Sequence, residues 1–179
     1  MAKRINNGEG ERPSEPGNVW WEGERPREPH PQRRKPASGV FVSPIHTTIV
    51  FLTVCTDRRL GWLAQPVVHE TLRQVWGESE AWLVGRYVLM PDHLHMFCAP
   101  GMQSVPLDGW VRYWKRLFTL RTSISSWRWQ SHHWDTRLRR GESYAAKWQY
   151  VMLNPVRKGL VEKVEDWPYQ GELNQLPWY

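Results

Sequence analysis

Two histidines flank a single leucine at His93-Leu94-His95, inside the apolar run from Met90 to Ala99. Side chains two apart on a β-strand leave the same face, about one pleat from each other. On a strand both imidazoles would point one way, as two ligands of a single metal ion do. Downstream, Tyr150 and Asn154 are four residues apart and would share one face of a helix. Two imidazoles and an amide oxygen make a neutral ligand set with open positions, and a phenol is a nucleophile. Together they could cut single-stranded DNA through a phosphotyrosine link.

The ligand charge predicts the metal's behaviour. No carboxylate offsets the dehydration of a hard cation at His93, His95 and Asn154. The expected ion is therefore a loosely held Mg²⁺ or Mn²⁺ that tightens when a DNA phosphate adds negative charge. A phenol with a pKa of about 10 is mostly protonated at neutral pH and needs a polarised phosphate or a base to attack phosphorus. Attack by Tyr150 would leave a 5′-phosphotyrosine and a free 3′-OH, keeping the phosphodiester energy for rejoining without ATP. Blander roles stay open for each group. The histidines could be half-buried strand residues, Asn154 could cap a helix before Pro155, and Tyr150 could pack its helix on a sheet. Tyr144 competes as nucleophile, but lies six residues from Tyr150 and off the Asn154 face.

These groups need a scaffold. Thr47 to Thr56 is β-branched and apolar and predicts a strand. From Pro66 to Ser79, Val67, Leu72, Val75 and Trp76 mark an amphipathic helix opened by proline. Trp82 to Met90 and His93 to Ala99 predict two strands that pair as a hairpin across Pro91-Asp92. A second helix runs from Pro106 to about Ser123, with Trp110, Val111, Trp114, Leu117 and Phe118 at helical spacing. Trp127 to Trp134 should return to the sheet. Glu142 to Leu153 predicts a third helix, ended by Pro155. The order β-α-β-β-α-β-α is that of an α+β, ferredoxin-like (split βαβ) antiparallel sheet with an added C-terminal helix, here the one carrying Tyr150.

Hydrophobic residues make up 40% of the 179 positions, enough for one core, and the formal net charge of +6 favours a polyanionic partner. Candidate phosphate contacts are Arg112, Lys115, Arg116 and Arg121 on the second helix, Arg137 and Arg139 before the third, and Arg157 and Lys158 after it. The alternative for most of them is a solvated surface. Thirteen tryptophans exceed ordinary usage, and most should be core. Cys55 and Cys98 are too few for a disulfide framework or a CxxC zinc site and read as buried thiols. No run is long enough to span a membrane and no signal-peptide core is visible, so the expected compartment is the cytoplasm.

Residues 1–39 are rich in Pro, Gly, Glu and Arg, a composition expected to be disordered. Gly10-Glu11-Arg12-Pro13-Ser14-Glu15-Pro16 returns as Gly23-Glu24-Arg25-Pro26-Arg27-Glu28-Pro29, consistent with translated repetitive DNA or with a flexible arm bearing Arg33-Arg34-Lys35. The catalytic domain is expected over residues 40–179.

The His93-Leu94-His95 pair, Tyr150 and the stretch Asn154-Pro155-Val156-Arg157-Lys158-Gly159-Leu160-Val161 resemble the IS200-like Y1 (HUH) transposases. The Asn-Pro-Val-Arg form is most similar to the REP-associated tyrosine transposases. The resemblance covers roughly residues 44 to 170, including Trp134-Asp135-Thr136-Arg137-Leu138-Arg139 and Trp167-Pro168-Tyr169. It implies a single HUH domain, a divalent metal held by His93, His95 and Asn154, Tyr150 as nucleophile, and hairpin-bearing single-stranded DNA as substrate, REP-like palindromes in particular. Glutamine often stands where this chain has Asn154. Both dimers and monomers occur among such enzymes, so oligomeric state stays open. Two other functions fit the same residues: a hairpin-binding module with a decayed site, and a nuclease that uses water.

Overall fold

The computed structural model describes residues 48–138 and 144–176. The amino-terminal tail, its near-repeat and Arg139 lie outside the described residues. In chain order the elements are β1 (Val50–Cys55), a short 3-10 turn (Asp57–Arg59), α1 (Pro66–Gly77), β2 (Trp82–Leu89), β3 (His93–Pro100), α2 (Leu107–Thr122), β4 (Trp134–Arg137), α3 (Tyr144–Met152), the single turn α4 (Asn154–Arg157), a second 3-10 turn (Val164–Asp166) and β5 (Gln170–Glu172). The five strands form one sheet in the order β4-β1-β3-β2-β5. Every neighbouring pair is antiparallel. The first four strands have the expected ferredoxin-like order.

Alternation along the strands decides which face each helix covers. Leu52 and Val54 of β1, Leu94 and Met96 of β3, and Val84 and Leu89 of β2 are fully buried in one cluster with Val68, Leu72, Val75 and Trp76 of α1 and Trp110, Val111, Trp114 and Phe118 of α2. Each fully buried side chain of this size stabilises by roughly 1.5–3 kcal/mol relative to exposure, so this layer dominates the fold. Val68 faces the core, whereas Val67, expected there, is exposed. Positions 68, 72, 75 and 76 form one helical stripe, and position 67 lies about a quarter turn off it. Trp62, Trp76, Trp82, Trp110, Trp114 and Trp167 are buried, so tryptophan serves mainly as core here.

Three elements differ from the expectation. Trp127 to Trp134 does not form the returning strand. Trp127 instead stacks on Trp62, ring centres 5.5 Å apart, and Trp129 packs edge-on at 4.9 Å. Only an isolated bridge links Thr56 with Trp129, and β4 begins at Trp134. Aromatic burial against α2 outcompeted ladder pairing for that segment. The third helix does stop before Pro155, at Met152, but an unexpected further helical turn follows it. Proline lacks the N–H that would continue the α3 ladder, yet it fits the first turn of a new helix, α4. Gly159, at φ 65°, then closes α4, with Leu160 N–H donating to the Pro155 carbonyl at 2.9 Å. Finally, β5 is three residues long and too polar for a strand signal. Gly171 lets it approach β2, because a Cβ there would fall 2.8 Å from the Tyr87 hydroxyl. No helix of the described residues is long and apolar enough to cross a membrane.

Candidate active site

The sheet face opposite α1 and α2 carries the histidines. His93 and His95 leave β3 on that face, with ring centres 4.7 Å apart. The residues opposite them set their orientation. Thr53 of β1 lies directly across from His95, and its Oγ1 is 2.9 Å from His95 Nδ1. Asp92, the turn residue before β3, accepts a 2.7 Å hydrogen bond from His93 Nδ1 through Oδ1. A carboxylate only accepts, so Nδ1 is the donor here and Nε2 is the ring nitrogen turned away from Asp92. Ring nitrogens anchored by a carboxylate and a hydroxyl are how metal-binding histidines are held in orientation.

Electrostatics support the same arrangement. Burial, then the neighbouring His93 and Arg59, hold the His95 imidazole well below its ordinary pKa, so it is neutral and able to donate a lone pair at pH 7. For Asp92, burial pushes upward, but the hydrogen bond and charge of His93 and the charge of Arg59 outweigh it and keep the carboxyl below its usual range. Arg59 Nε lies 2.8 Å from Asp92 Oδ2.

Helix α3 lies over this face. Trp148 packs beside Phe51, and Val151 is buried with Val88 and Met90. Val88 is the residue across from His95 in β2, and Phe51 stacks on His95 with ring centres 5.3 Å apart. Lys147 Nζ lies 5.1 Å from the Phe51 ring centre. The helix that bears Tyr150 is thus seated on the residues surrounding His95.

Tyr150 is 51% exposed, whereas the Tyr144 hydroxyl is buried, with its ring 4.6 Å from that of Phe97. Burial also pushes the Tyr144 phenol above its ordinary pKa. Accessibility favours Tyr150 as nucleophile, and the raised phenol pKa counts against Tyr144. Asn154 is buried at the start of α4. Arg157 links the two: its guanidinium sits 4.0 Å from the Tyr150 ring centre, and Nη1 donates to the Tyr150 carbonyl at 3.1 Å and to Asn154 Oδ1 at 3.4 Å. Among the described residues, no three His, Cys, Asp or Glu side chains gather as a metal site. The two anchored imidazoles fit a divalent ion as a partial shell, which an amide or substrate oxygen would have to complete.

The basic residues divide. Lys115 is not a surface cation: it is buried, and its Nζ donates to the Gln130 carbonyl at 2.8 Å, tying α2 to the segment before β4. Burial pushes its pKa down to about 8. Arg112, Arg116 and Arg121 are exposed, but α2 packs on the face away from the histidines. Arg121 pairs with Glu78, and Arg112 donates to the Asp108 carbonyl. Arg137 on β4 donates to Thr48 Oγ1, and Lys158 is exposed just after α4. Thr53, Phe51, Arg59 and Lys147 were invisible as site residues because strand register and helix docking bring them there. Asp92 had a signal, its place directly before His93.

The described residues thus form an antiparallel sheet with a His-x-His pair on the face away from α1 and α2, the face on which the Tyr150-bearing helix packs. No protein-family model matches the chain. The chain is 29% identical over 86 residues to the REP-associated tyrosine transposase of Escherichia coli K12, covering 48% of this chain and 52% of that one. A Haemophilus influenzae protein provisionally assigned the same name is 28% identical over 96 residues, covering 46% of this chain and 54% of that one. The chain thus spans about half the length of the curated relatives it matches. A solved REP-associated tyrosine transposase, bound to a REP hairpin, shares the fold with a TM-score of 0.58 and 25% identity, over 69% of this chain and 75% of that one. This chain is related to the REP-associated tyrosine transposases in both sequence and fold.

Proposed function

We propose that this protein cleaves and rejoins hairpin-bearing single-stranded DNA through Tyr150. The observation that carries this reading is an exposed Tyr150 on a helix packed against the cluster of Phe51 and Val88, which neighbour His95 of an imidazole pair whose Nδ1 atoms are already engaged. The relatives' REP hairpin makes a REP-like palindrome the first substrate to try. A bound Mg²⁺ or Mn²⁺, held by His93, His95 and the Asn154 amide, would supply Lewis-acid polarisation of the scissile phosphate.

The chain's own residues account for the rest. The Tyr150 oxygen attacks phosphorus and loses its proton as the new O–P bond forms. The bond to the 3′ oxygen breaks, that oxygen takes up a proton, and a 3′-OH leaves with the 5′ phosphate on tyrosine. A 3′-OH of another end reverses the same exchange, so joining needs no further energy source. The neutral His95 keeps its lone pair available, and Arg157 fixes the tyrosine ring against α4.

Covalent capture tests this. Purified protein, Mn²⁺ and labelled hairpin DNA should give a band at protein-plus-DNA mass on a denaturing gel. Tyr150→Phe should abolish that band, while Tyr144→Phe should retain it. Cut DNA without a covalent band would favour a water-using nuclease, and bound but uncut DNA a binding module.

A further inference from the structure

Arg59 sits in an unusual turn that directs its side chain back onto the strand end. β1 ends at Cys55, and Thr56 then grips Asp92. Its N–H and its Oγ1 both donate to the Asp92 carbonyl, at 3.0 and 2.9 Å. Immediately after, Arg58 and Arg59 both adopt left-handed backbone conformations, at φ 51° and 57°. L-residues other than Asn and Asp rarely take that region, because Cβ crowds the following carbonyl. Two successive arginines there are an outlier that the surrounding structure must hold in place.

The turn directs the Arg59 guanidinium back onto the strand end. Nε meets Asp92 Oδ2 at 2.8 Å, and Nη1 meets Cys55 Sγ at 2.6 Å. Leu63 N–H donates to the Pro91 carbonyl at 2.9 Å, fastening the chain after the turn to the residue before Asp92. The Asp92 carboxylate therefore has both oxygens engaged, one by Arg59 and the other by His93 Nδ1 at 2.7 Å. Rotating the carboxylate toward solvent would break both contacts, so the arginine fixes the plane in which His93 is held.

We infer that Arg59 is a positioning residue for the metal centre, acting through Asp92 to aim His93 Nε2. This rests on His93 and His95 being metal ligands. A purely structural clamp would change the melting temperature without changing the metal affinity of the folded protein.

The test uses the full chain and Mn²⁺ alone, with water-proton relaxation reading the affinity and circular dichroism confirming the folded state at the titration temperature. Arg59→Met and Asp92→Asn should each weaken Mn²⁺ binding about ten-fold, the lower end of what outer-shell partners contribute. The double variant should bind no worse than the weaker single one, because both remove the same relay. Arg59→Lys should recover part of the affinity by returning the cation. Wild-type affinity in folded Arg59→Met, or losses that multiply in the double variant, would overturn the inference. If Arg59→Met does not fold, Arg59→Lys against Asp92→Asn carries the same comparison, and a Lys variant as tight as wild type alongside an unaffected Asn variant would overturn it. No Mn²⁺ binding by the wild-type protein would instead bring down the metal-ligand reading, and this inference with it.

Discussion

The Arg157 guanidinium lies 4.0 Å from the centre of the Tyr150 ring and reaches the Asn154 side chain through the same group. One arginine thus joins the proposed nucleophile to the proposed amide ligand. The break between α3 and α4 is what permits it. Leu153 and Pro155 interrupt the helix and let α4 bring position 157 back over position 150.

If Arg157 orients Tyr150, its loss should act on chemistry more than on binding. Arg157→Ala should slow single-turnover formation of the covalent product about ten-fold, equivalent to roughly 1.4 kcal/mol of barrier. Hairpin affinity should change much less. An arginine used only for phosphate contact would show the reverse, a weakened affinity and an unchanged rate at saturating DNA.

Thr53 offers an equally direct test of the histidine pair. Thr53→Val keeps the shape but removes the hydroxyl beside His95 Nδ1. Mn²⁺ affinity should fall about ten-fold as the imidazole loses its anchor. A valine variant with unchanged affinity would show that packing against Phe51 orients His95 by itself.

Lys115 gives a pH signature. Its folded pKa of about 8 lies below its ordinary 10.5 because burial penalises the charge. Between those values the unfolded chain binds more protons than the folded one, so stability rises with pH across the window from about 8 to 10.5. The size is about 1.4 kcal/mol per pH unit, on the order of 3 kcal/mol in all. Below about pH 8 the penalty is fully present. Denaturant unfolding at pH 7.5 and 10.5 should show this rise in wild-type protein, and Lys115→Met should flatten it by that amount.

The placement of the cations predicts which of them DNA feels. Lys147 and Lys158 belong to α3 and the end of α4, the layer over the histidines, while Arg112 and Arg116 belong to α2 on the other side of the sheet. Replacing both lysines with alanine should lower the slope of log affinity against log salt by roughly 1.4, about 0.7 per phosphate contact for a single strand. Replacing Arg112 and Arg116 should change the slope far less. A larger change from the arginine pair would mean that the hairpin wraps onto α2.

The sequence alone determined the order of the main elements, because each has its own short-range signature. Two-residue alternation marks β2 and β3, four-residue stripes mark α1 and α2, and Pro91-Asp92 marks the hairpin. It also determined that His93 and His95 share a face, since that follows from strand period alone. A resemblance carried by His93, His95, Tyr150 and the Asn154-to-Val161 stretch pointed to the family to which sequence and fold both relate the chain. Tertiary structure decided everything that depends on what lies opposite. Register placed Thr53 across from His95 and Phe51 beside it, and docking of α3 brought Lys147 onto the Phe51 ring. The same packing buried Lys115 and the Tyr144 hydroxyl while leaving Tyr150 exposed, a distinction no local pattern encodes. It also turned Trp127 and Trp129 into the aromatic core instead of a strand. Spacing along a chain reports which residues share a face; only the fold reports what that face meets.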